Sequence, residues 1–284
     1  MMKPEDTHFQ LTANGRMLSL ARPAVMGILN LTPDSFFDGG RYTAADAALA
    51  QTERMIEEGA SIIDLGAVST RPGSVAPDEA EEWKRIAAVL PQLRKRFPDT
   101  WFSVDTYRAG IAERAAAEGI DLINDISGGV FDAGLLSAVA HSKLPYILMH
   151  MQGTPQTMQQ EPHYNNVVEE VSHWFDNKLA ELKAQGISQI ILDPGFGFGK
   201  TVEHNYQLLA ALPEFVKKGF PVLAGISRKS MLTKLLGIKK EEALNATTAA
   251  NTHALLLGAN ILRVHDVKEA VEVVRIHEAL LMGL

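Results

Sequence analysis

The sequence predicts one α/β domain over residues 1–284, a (β/α)8 TIM barrel with a short N-terminal β-hairpin. Short apolar runs of strand length alternate with longer segments of helical periodicity along the whole chain. Each strand and helix unit averages about 35 residues, close to the length of a barrel repeat. No proline-rich or serine-rich linker and no internal repeat divides the chain. An open, doubly wound sheet is the alternative fold.

The first predicted element is a hairpin. Phe9–Leu20 alternates in hydrophobicity around Asn14-Gly15, a typical two-residue hairpin turn, and we expect it to close the amino end of the barrel. The eight strands then follow at Ala24–Leu29, Ser61–Leu65, Thr100–Val104, Asp121–Ile123, Leu144–Met149, Gln189–Leu192, Pro221–Ala224 and Asn260–Arg263. Nearly continuous apolar runs such as Ser61–Leu65 are typical of parallel strands covered on both faces.

Segments of helical periodicity lie between the strands. The predicted helices are Ala44–Glu58, Asp78–Phe97, Arg108–Glu118, Val167–Gln185, Glu203–Lys217, Ala243–Leu257 and Val267–Met282. Asp266 and Glu269 have the spacing of a capping box at the start of the last helix. Ser227 is placed to cap the helix after the seventh strand.

The composition excludes several classes of function. The formal net charge of −7 argues against nucleic acid as the main partner, since nucleic-acid binding needs a basic face. The absence of cysteine excludes disulfides, thiolate nucleophiles and cysteine-ligated metals. The polar first residues lack a signal-peptide core, and no stretch approaches the ~20 apolar residues of a membrane helix. We therefore expect a cytoplasmic protein without membrane partners.

Polar residues follow the predicted strands, and in a barrel the carboxyl ends of all strands share one mouth. Four of these residues stand directly at the end of an apolar run: Asn30, Asp105, Asn124 and Asp193. We expect their side chains to face the barrel axis, as acceptors for a heterocycle rich in N–H groups. Turn formation or helix capping is the alternative, and it is the role we assign to Asp125 and Asp266.

Cationic residues follow the last two strands. Arg228 and Lys229 stand at a helix start, where positive charge opposes the helix dipole, so we expect an anion or a polarised oxygen nearby. A solvated helix start is the alternative. Arg263 and His265 alternate on a strand end and can point the same way, and two cationic groups beside Asn30 would suit a diphosphate. For His265 the alternative is a core histidine.

The segment Asp193–Thr201 is rich in glycine but does not match a nucleotide-binding loop. Pro194 falls where a P-loop has its first glycine, and the glycine spacing is not that of a dinucleotide site. We expect the loop to let the backbone approach a ligand, with Phe196 or Phe198 as a wall; packing is the alternative for both rings. The sequence contains neither a zinc-binding H-E-x-x-H helix nor a G-x-S-x-G nucleophile turn.

Eight segments of the chain match short motifs of one known family: Met26–Phe36 with Asp38–Gly40, Ser69–Gly73, Ser103–Thr106, Asn124–Ile126, Leu148–Gly153, Asp193–Lys200, Ser227–Met231 and Arg263–Val267. Through these motifs the chain resembles the dihydropteroate synthase family. They occur in the family's order and span essentially the full chain. Two departures are that Ala67-Val68 stands where members usually carry Gly-Glu, so a loop carboxylate is missing, and that Phe37 replaces a small residue.

The resemblance implies a transferase of folate biosynthesis. Such an enzyme condenses 6-hydroxymethyl-7,8-dihydropterin diphosphate with 4-aminobenzoate and gives 7,8-dihydropteroate and diphosphate. The implied pterin ligands are Asp105, Asn124, Asp193 and Lys229, of which Asp105, Asp193 and Lys229 are the catalytic candidates. The implied diphosphate ligands are Asn30, Arg263 and His265, with Mg²⁺ on Asn30. The implied residues of the 4-aminobenzoate site are Thr70, Arg71, Pro72, Phe198 and Ser230.

The resemblance also implies a homodimer and a target of sulfonamides. Two rival functions stay open. A methyltetrahydrofolate:corrinoid methyltransferase shares the pterin-binding barrel but has no reason to bind a diphosphate, which counts against it here. A non-catalytic pterin-binding paralogue would be favoured by the loss of a strand-end group, and none of these groups is lost in this sequence.

Overall fold

The computed structural model describes residues 9–32, 44–68 and 76–283, and the first of these form a hairpin of β1 (Gln10–Ala13) and β2 (Arg16–Ser19). Asn14 and Gly15 have φ of 50° and 75°, as a two-residue hairpin turn requires. The Asn14 side chain donates to the carbonyl of Ile120 at 2.8 Å, and Gln189 exchanges hydrogen bonds with the backbone of Thr12. Because Ile120 and Gln189 precede barrel strands, the hairpin lies at the amino end of the barrel, as predicted.

The described residues form a sheet of eight parallel strands, which confirms the predicted barrel. The strands are β3 (Ala24–Asn30), β4 (Ile62–Gly66), β5 (Trp101–Asp105), β6 (Leu122–Asp125), β7 (Tyr146–Met149), β8 (Ile190–Asp193), β9 (Leu223–Ala224) and β10 (Ile261–Val264). They pair in chain order from β3 to β8, and β10 lies between β3 and β9. The N–H of Leu192 donates to the carbonyl of Pro221 at 2.8 Å and bridges the gap between β8 and β9.

Helices follow the strands along the chain. They are α1 (Ala44–Glu57), α2 (Glu79–Ala87), α3 (Leu90–Arg96), α4 (Ala109–Ala117), α5 (Leu135–Ser142), α6 (Val167–Ala184), α7 (Val202–Ala210), α8 (Leu212–Val216), α9 (Ser230–Leu236), α10 (Leu244–Leu256) and α11 (Val267–Met282), with a 3₁₀ helix at Lys240–Glu242. Helix α5 was not predicted from the sequence, whereas α9 is the helix expected after the seventh strand.

Two of the predicted helices were wrong as single elements. Asp78–Phe97 is divided into α2 and α3, and Glu203–Lys217 into α7 and α8. Proline stands in the first turn of each second helix, at Pro91 and Pro213. A proline has no N–H to donate to the preceding turn but fits the first turn of a new helix, so each proline starts a helix instead of continuing one.

Two predicted caps were also wrong. Asp266 precedes α11 but makes no side-chain cap hydrogen bond; its carboxylate pairs with Arg228 through both oxygens, at 2.8 and 2.7 Å. Ser227 does not cap α9, because its hydroxyl lies 3.1 Å from both the backbone N and Nδ1 of His265. A bidentate pair with a guanidinium is stronger than a neutral cap hydrogen bond, which explains the partner of Asp266. Asp125 does form a turn, accepting from the N–H groups of Ser127 and Gly129.

The strands are buried on both faces, and polarity rises at their carboxyl ends. Every residue of β4, β7 and β8 is buried. Asp64, in the middle of β4, is fully buried, and Asn124 and Asp193 at strand ends are 4% and 5% exposed. The barrel therefore carries charged groups inside its upper layer. Within residues 9–32, 44–68 and 76–283, no helix has the length and hydropathy to cross a bilayer.

Candidate active site

An arginine from β10 lies between two carboxylates at the centre of the barrel mouth. The guanidinium of Arg263 donates from Nε to Asp64 Oδ2 at 2.7 Å and from Nη2 to Asp105 Oδ2 at 2.8 Å. Its side chain is 20% exposed, while that of Asp64 is fully buried. Burial opposes the charge on Arg263, but the two carboxylates outweigh it and raise its pKa. Arg263 is thus a fixed cation that joins β10 to β4 and β5.

Asp64 is a site residue that the sequence analysis missed. Besides Arg263, its Oδ2 accepts a hydrogen bond from Asn124 Nδ2 at 3.0 Å. Asp64 therefore orients two of the predicted ligands from beneath. It was missed because it lies inside an apolar run, not at its end. An aspartate within an apolar strand was the one signal in the sequence, since carboxylates are almost never fully buried without a partner and Asp64 therefore required one.

Asp105, Asn124 and Asn30 lie side by side above Asp64. Asp105 and Asn124 are register partners in the pair β5–β6. A Cβ on Gly66 of β4 would lie 3.7 Å from Asn30 Oδ1 and 4.0 Å from Asp105 Oδ2, so both side chains lean over this glycine. Burial raises the pKa of Asp105 to about 7, although Arg263 opposes the shift.

Asp193 and Lys229 lie at the same barrel mouth, close enough to Arg263 for their charges to interact with it. A Cβ on Gly225 would lie 3.8 Å from both Asp193 Oδ2 and Lys229 Nζ. The other carboxylate oxygen of Asp193 accepts from the N–H of Gly195 at 2.8 Å. Burial raises the pKa of Asp193 while Lys229 opposes the shift. Burial also lowers the pKa of Lys229 to about 8, which leaves the amine mainly protonated at neutral pH.

Arg228 and Lys229 point in different directions. Arg228 has φ of 55°, a left-handed conformation uncommon outside glycine, and its side chain pairs with Asp266. Lys229 turns inward: its Nζ donates to the carbonyl of Phe196 and lies 4.5 Å from the ring centroid of Phe198. The predicted basic pair is therefore one structural cation and one site cation.

The two phenylalanines of the glycine-rich loop have different positions. Phe196 is fully buried and packs in the core, whereas Phe198 is half-buried beside Lys229. Gly195 has φ of 72°, and a Cβ there would lie 1.8 Å from the carbonyl of His150. At Gly195 the missing side chain therefore lets the loop backbone approach the end of β7.

His265 differs from the cation expected from the sequence. Burial lowers its pKa to about 4, so its ring is neutral at pH 7. Its Nδ1 lies 3.1 Å from the hydroxyl of Ser227. Arg263 is engaged by Asp64 and Asp105, so the two residues do not form the expected pair of free cations. Strands β3 and β10 are neighbours, which places Asn30 and His265 on one section of the rim.

The remaining predicted residues are those implied for the 4-aminobenzoate site. Thr70, Arg71 and Pro72 lie outside the described residues, as do Phe37 and much of the first motif. Ser230 is exposed at the start of α9 and lines a cavity of about 280 Å³ together with Lys200 and Thr201. The structure therefore brings Asn30, Asp105, Asn124, Asp193, Lys229, Arg263 and Phe198 to one mouth.

Comparisons with known proteins agree with this geometry. The pterin binding enzyme family matches residues 26–265. The dihydropteroate synthase of Escherichia coli (strain K12) is 45% identical over 274 residues, which are 96% of this chain and 96% of that protein. The solved structure of Xanthomonas albilineans dihydropteroate synthase with 4-aminobenzoic acid has a TM-score of 0.91 and 41% identity, and the match covers 96% of this chain and 98% of that one. The same organism's enzyme in complex with 7,8-dihydropteroate has a TM-score of 0.87 and 38% identity, with 96% and 98% covered. The chain therefore belongs to the pterin binding enzyme family, among the dihydropteroate synthases.

Proposed function

We propose that this chain condenses 6-hydroxymethyl-7,8-dihydropterin diphosphate with 4-aminobenzoate to give 7,8-dihydropteroate and diphosphate. The observation that carries the proposal is that Asp105, Asn124, Asp193 and Lys229 lie at one barrel mouth, with Arg263 bound between Asp64 and Asp105. The identity to dihydropteroate synthases over nearly the whole chain supports the same conclusion.

The acceptors of the cavity suit the amino-pyrimidine edge of a pterin, which presents several N–H donors. Because Nδ2 of Asn124 donates to Asp64, its amide oxygen is left as an acceptor. Asp105 and Asp193 supply carboxylate oxygens on either side. Lys229 supplies the donor that the ring carbonyl and ring nitrogen need.

The reaction breaks the bond between the pterin methylene carbon and the diphosphate oxygen, and forms a bond from this carbon to the nitrogen of 4-aminobenzoate. The nitrogen then loses a proton. Since the methylene is attached to an electron-rich ring, departure of diphosphate leaves a delocalised cation that Asp105 and Asp193 stabilise electrostatically. An arylamine is uncharged at neutral pH, so no strong general base is needed. Positioning of the two substrates is the main contribution of the protein.

Asn30, His265 and Arg263 are proposed to bind the departing diphosphate. The neutral ring of His265 can donate one N–H, and the Ser227 hydroxyl beside Nδ1 fixes its orientation. Mg²⁺ fits this set as an ion that arrives with the diphosphate, because Mg²⁺ keeps several waters and takes few protein oxygens. Asn30 Oδ1 is such an oxygen, and the described part of the chain holds no group of three or more His, Asp or Glu residues that could form an independent metal site. When bound, the ion would neutralise charge on the leaving group.

The 4-aminobenzoate site is proposed to consist of Phe198 and Ser230 with Thr70, Arg71 and Pro72. Phe198 lies against Lys229, and Ser230 follows Lys229 in the chain. Both residues therefore lie beside a proposed pterin ligand. The related Yersinia pestis enzyme has been solved in complex with a sulfonamide drug. We propose that sulfonamides compete with 4-aminobenzoate in this chain as well.

The test is an assay of the purified protein with both substrates and Mg²⁺. Dihydropteroate and diphosphate should form in equal amounts, and omission of any one component should stop both. Pterin binding without turnover would instead support a non-catalytic paralogue. Methyl transfer from methyltetrahydrofolate to a corrinoid would support the methyltransferase alternative.

We also propose that the chain forms a homodimer through its last two helices. Leu256 of α10 and Ile276 and Leu280 of α11 are 50%, 62% and 60% exposed, and exposed apolar clusters of this kind often mark interfaces. Light scattering should give twice the chain mass, and Ile276→Lys should shift it towards the monomer. A monomer at all concentrations would contradict the proposal. The cytoplasmic location and the lack of a nucleic-acid partner stay predictions.

A further inference from the structure

Lys200 is a buried cation to which the proposed chemistry assigns no task. Its residue is 3% exposed. Its Nζ lies 2.9 Å from the carbonyl of Phe198, 3.0 Å from Nδ1 of His150 and 3.2 Å from the carbonyl of His150. An ammonium has three N–H donors, so these three acceptors satisfy it completely.

The neutral ring of His150 agrees with this arrangement, whereas the protonation of Lys200 depends on its surroundings. Burial lowers the pKa of His150 to about 2, and the charge of Lys200 acts in the same direction. The ring is therefore neutral and can accept at Nδ1. Burial lowers the pKa of Lys200 to about 7, while Asp193 supports the charge and Lys229 opposes it. The amine thus depends on its acceptors and on Asp193 to stay protonated.

Lys200 belongs to a set of side chains that fix the loop between β8 and α7. Each carbonyl from residue 196 to 199 accepts a side-chain donor: Phe196 from Lys229, Gly197 from Gln159, Phe198 from Lys200 and Gly199 from Tyr164. Of these four donors, Lys200 is the one whose ammonium also binds the end of β7, through His150. It therefore links the loop to the barrel wall.

The link bears directly on Phe198. The carbonyl of Phe198 is held by Lys200, and its ring lies 4.5 Å from Lys229 Nζ. Lys229 has a second anchor at the carbonyl of Phe196 and lies close to Asp193. Loss of the Lys200 contacts should therefore displace the ring of Phe198 more than the ammonium of Lys229.

We propose that Lys200 is a positioning residue that ties Phe198 to His150 and thereby places the Phe198 ring for the arylamine substrate. The proposal rests on the proposed function, in which Phe198 borders the 4-aminobenzoate site and Lys229 binds the pterin. In this proposal Lys200 acts through Phe198, whose carbonyl it binds.

The first test compares Lys200→Met with Lys183→Met, a substitution of an exposed lysine on α6. Lys200→Met should raise KM for 4-aminobenzoate by about tenfold, since small displacements at a site have large kinetic effects, and should change the dissociation constant of the pterin diphosphate much less. A purely structural role would instead lower the fraction of active enzyme. The apparent kcat would then fall while KM for 4-aminobenzoate and the dissociation constant of the pterin diphosphate stay unchanged, and this result would overturn the proposal. Lys183→Met should match the unsubstituted chain.

A double-mutant cycle tests the route through Phe198. On a Phe198→Leu background, Lys200→Met should have little further effect on KM for 4-aminobenzoate, because residues that act together are not additive. Full additivity would overturn the proposal. If Lys200→Met does not fold, Lys200→Gln, which can still donate to one carbonyl, should show the same selective change at smaller size.

A crystal structure of the Lys200→Met variant tests the placement without turnover. The Phe198 ring should lie farther from Lys229 Nζ than the roughly 6 Å limit of a cation–π contact. A ring in its original place would overturn the inference. If the unsubstituted chain makes no dihydropteroate, the proposed function fails, and this structure still decides the position of Phe198.

Discussion

Replacing Asp64 by asparagine tests whether a buried carboxylate holds the centre of the site together. Asp64→Asn keeps the shape of the side chain but removes its charge. The carboxylate is fully buried and accepts from Arg263 at 2.7 Å and from Asn124 at 3.0 Å. Both donors bond to Oδ2, and Oδ1 has no hydrogen-bond partner. An asparagine can therefore keep its carbonyl oxygen at the position of Oδ2, so the substitution removes mainly the negative charge that faces Arg263.

The size of the effect follows from the remaining partners of Arg263. Removing one partner of a buried ion pair costs about 3–5 kcal/mol. Arg263 keeps Asp105 at 2.8 Å and is 20% exposed, so we expect the lower end of this range, about 3 kcal/mol in the free energy of unfolding. For a domain of this size the melting temperature should fall by about 6 °C.

The assay is urea unfolding followed by circular dichroism, with Glu214→Gln as the matched control. The carboxylate of Glu214 is 53% exposed and pairs with Lys217, whose side chain is 60% exposed, so the control should lose less than about 0.5 kcal/mol. The reasoning is refuted if Asp64→Asn loses no more than the control. A loss in stability with unchanged pterin affinity would support the stabilising ion pair but contradict the role of Asp64 in orienting Asn124.

Three further predictions concern the cavity and its loop. Burial raises the pKa of Asp105 to about 7, and the N–H donors of the pterin need the ionised carboxylate. Pterin affinity should therefore fall as the pH drops below about 7, and binding at pH 6 should release protons. Calorimetry in buffers of different ionisation enthalpy measures the proton release, and equal affinity at pH 6 and pH 8 would contradict the prediction. Gly195→Ala would put a Cβ 1.8 Å from a carbonyl oxygen and should prevent stable folding, whereas Gly186→Ala, with a similar φ of 79° and open space, should cost about 1–2 kcal/mol in denaturant unfolding. Lys229→Ala should reduce both pterin affinity and kcat, as measured by calorimetry and single-turnover kinetics, and loss of only one would argue against its dual role.

The sequence was sufficient to predict the barrel and the residues that end its strands. Asp105, Asn124 and Asp193 each follow an apolar run, and the carboxyl ends of parallel strands necessarily share one mouth. The hairpin was equally accessible, because Asn14-Gly15 favours one turn type. These features depend on local pattern alone.

Features that depend on side-chain direction could not be predicted in this way. The partners of Arg263, which are Asp64 on β4 and Asp105 on β5, lie far away in the sequence, so its neighbours on β10 do not indicate that this cation is engaged by carboxylates. Lys200 stands in a glycine-rich segment, and nothing in the neighbouring sequence indicates that its amine binds the end of β7. Burial decides the charge of His265, and burial is a property of the whole fold.

The N-terminal hairpin has a consequence for how the chain folds as it is synthesised. Asn14 contacts Asp121, 107 residues later, and Thr12 contacts Gln189, 177 residues later. The hairpin emerges from the ribosome before these partners, and Gln189 follows Thr12 only after 177 residues. Contacts between such distant segments form slowly. The barrel floor is therefore expected to be sealed late in folding, so that deletion of the hairpin should leave early collapse intact and affect the final step.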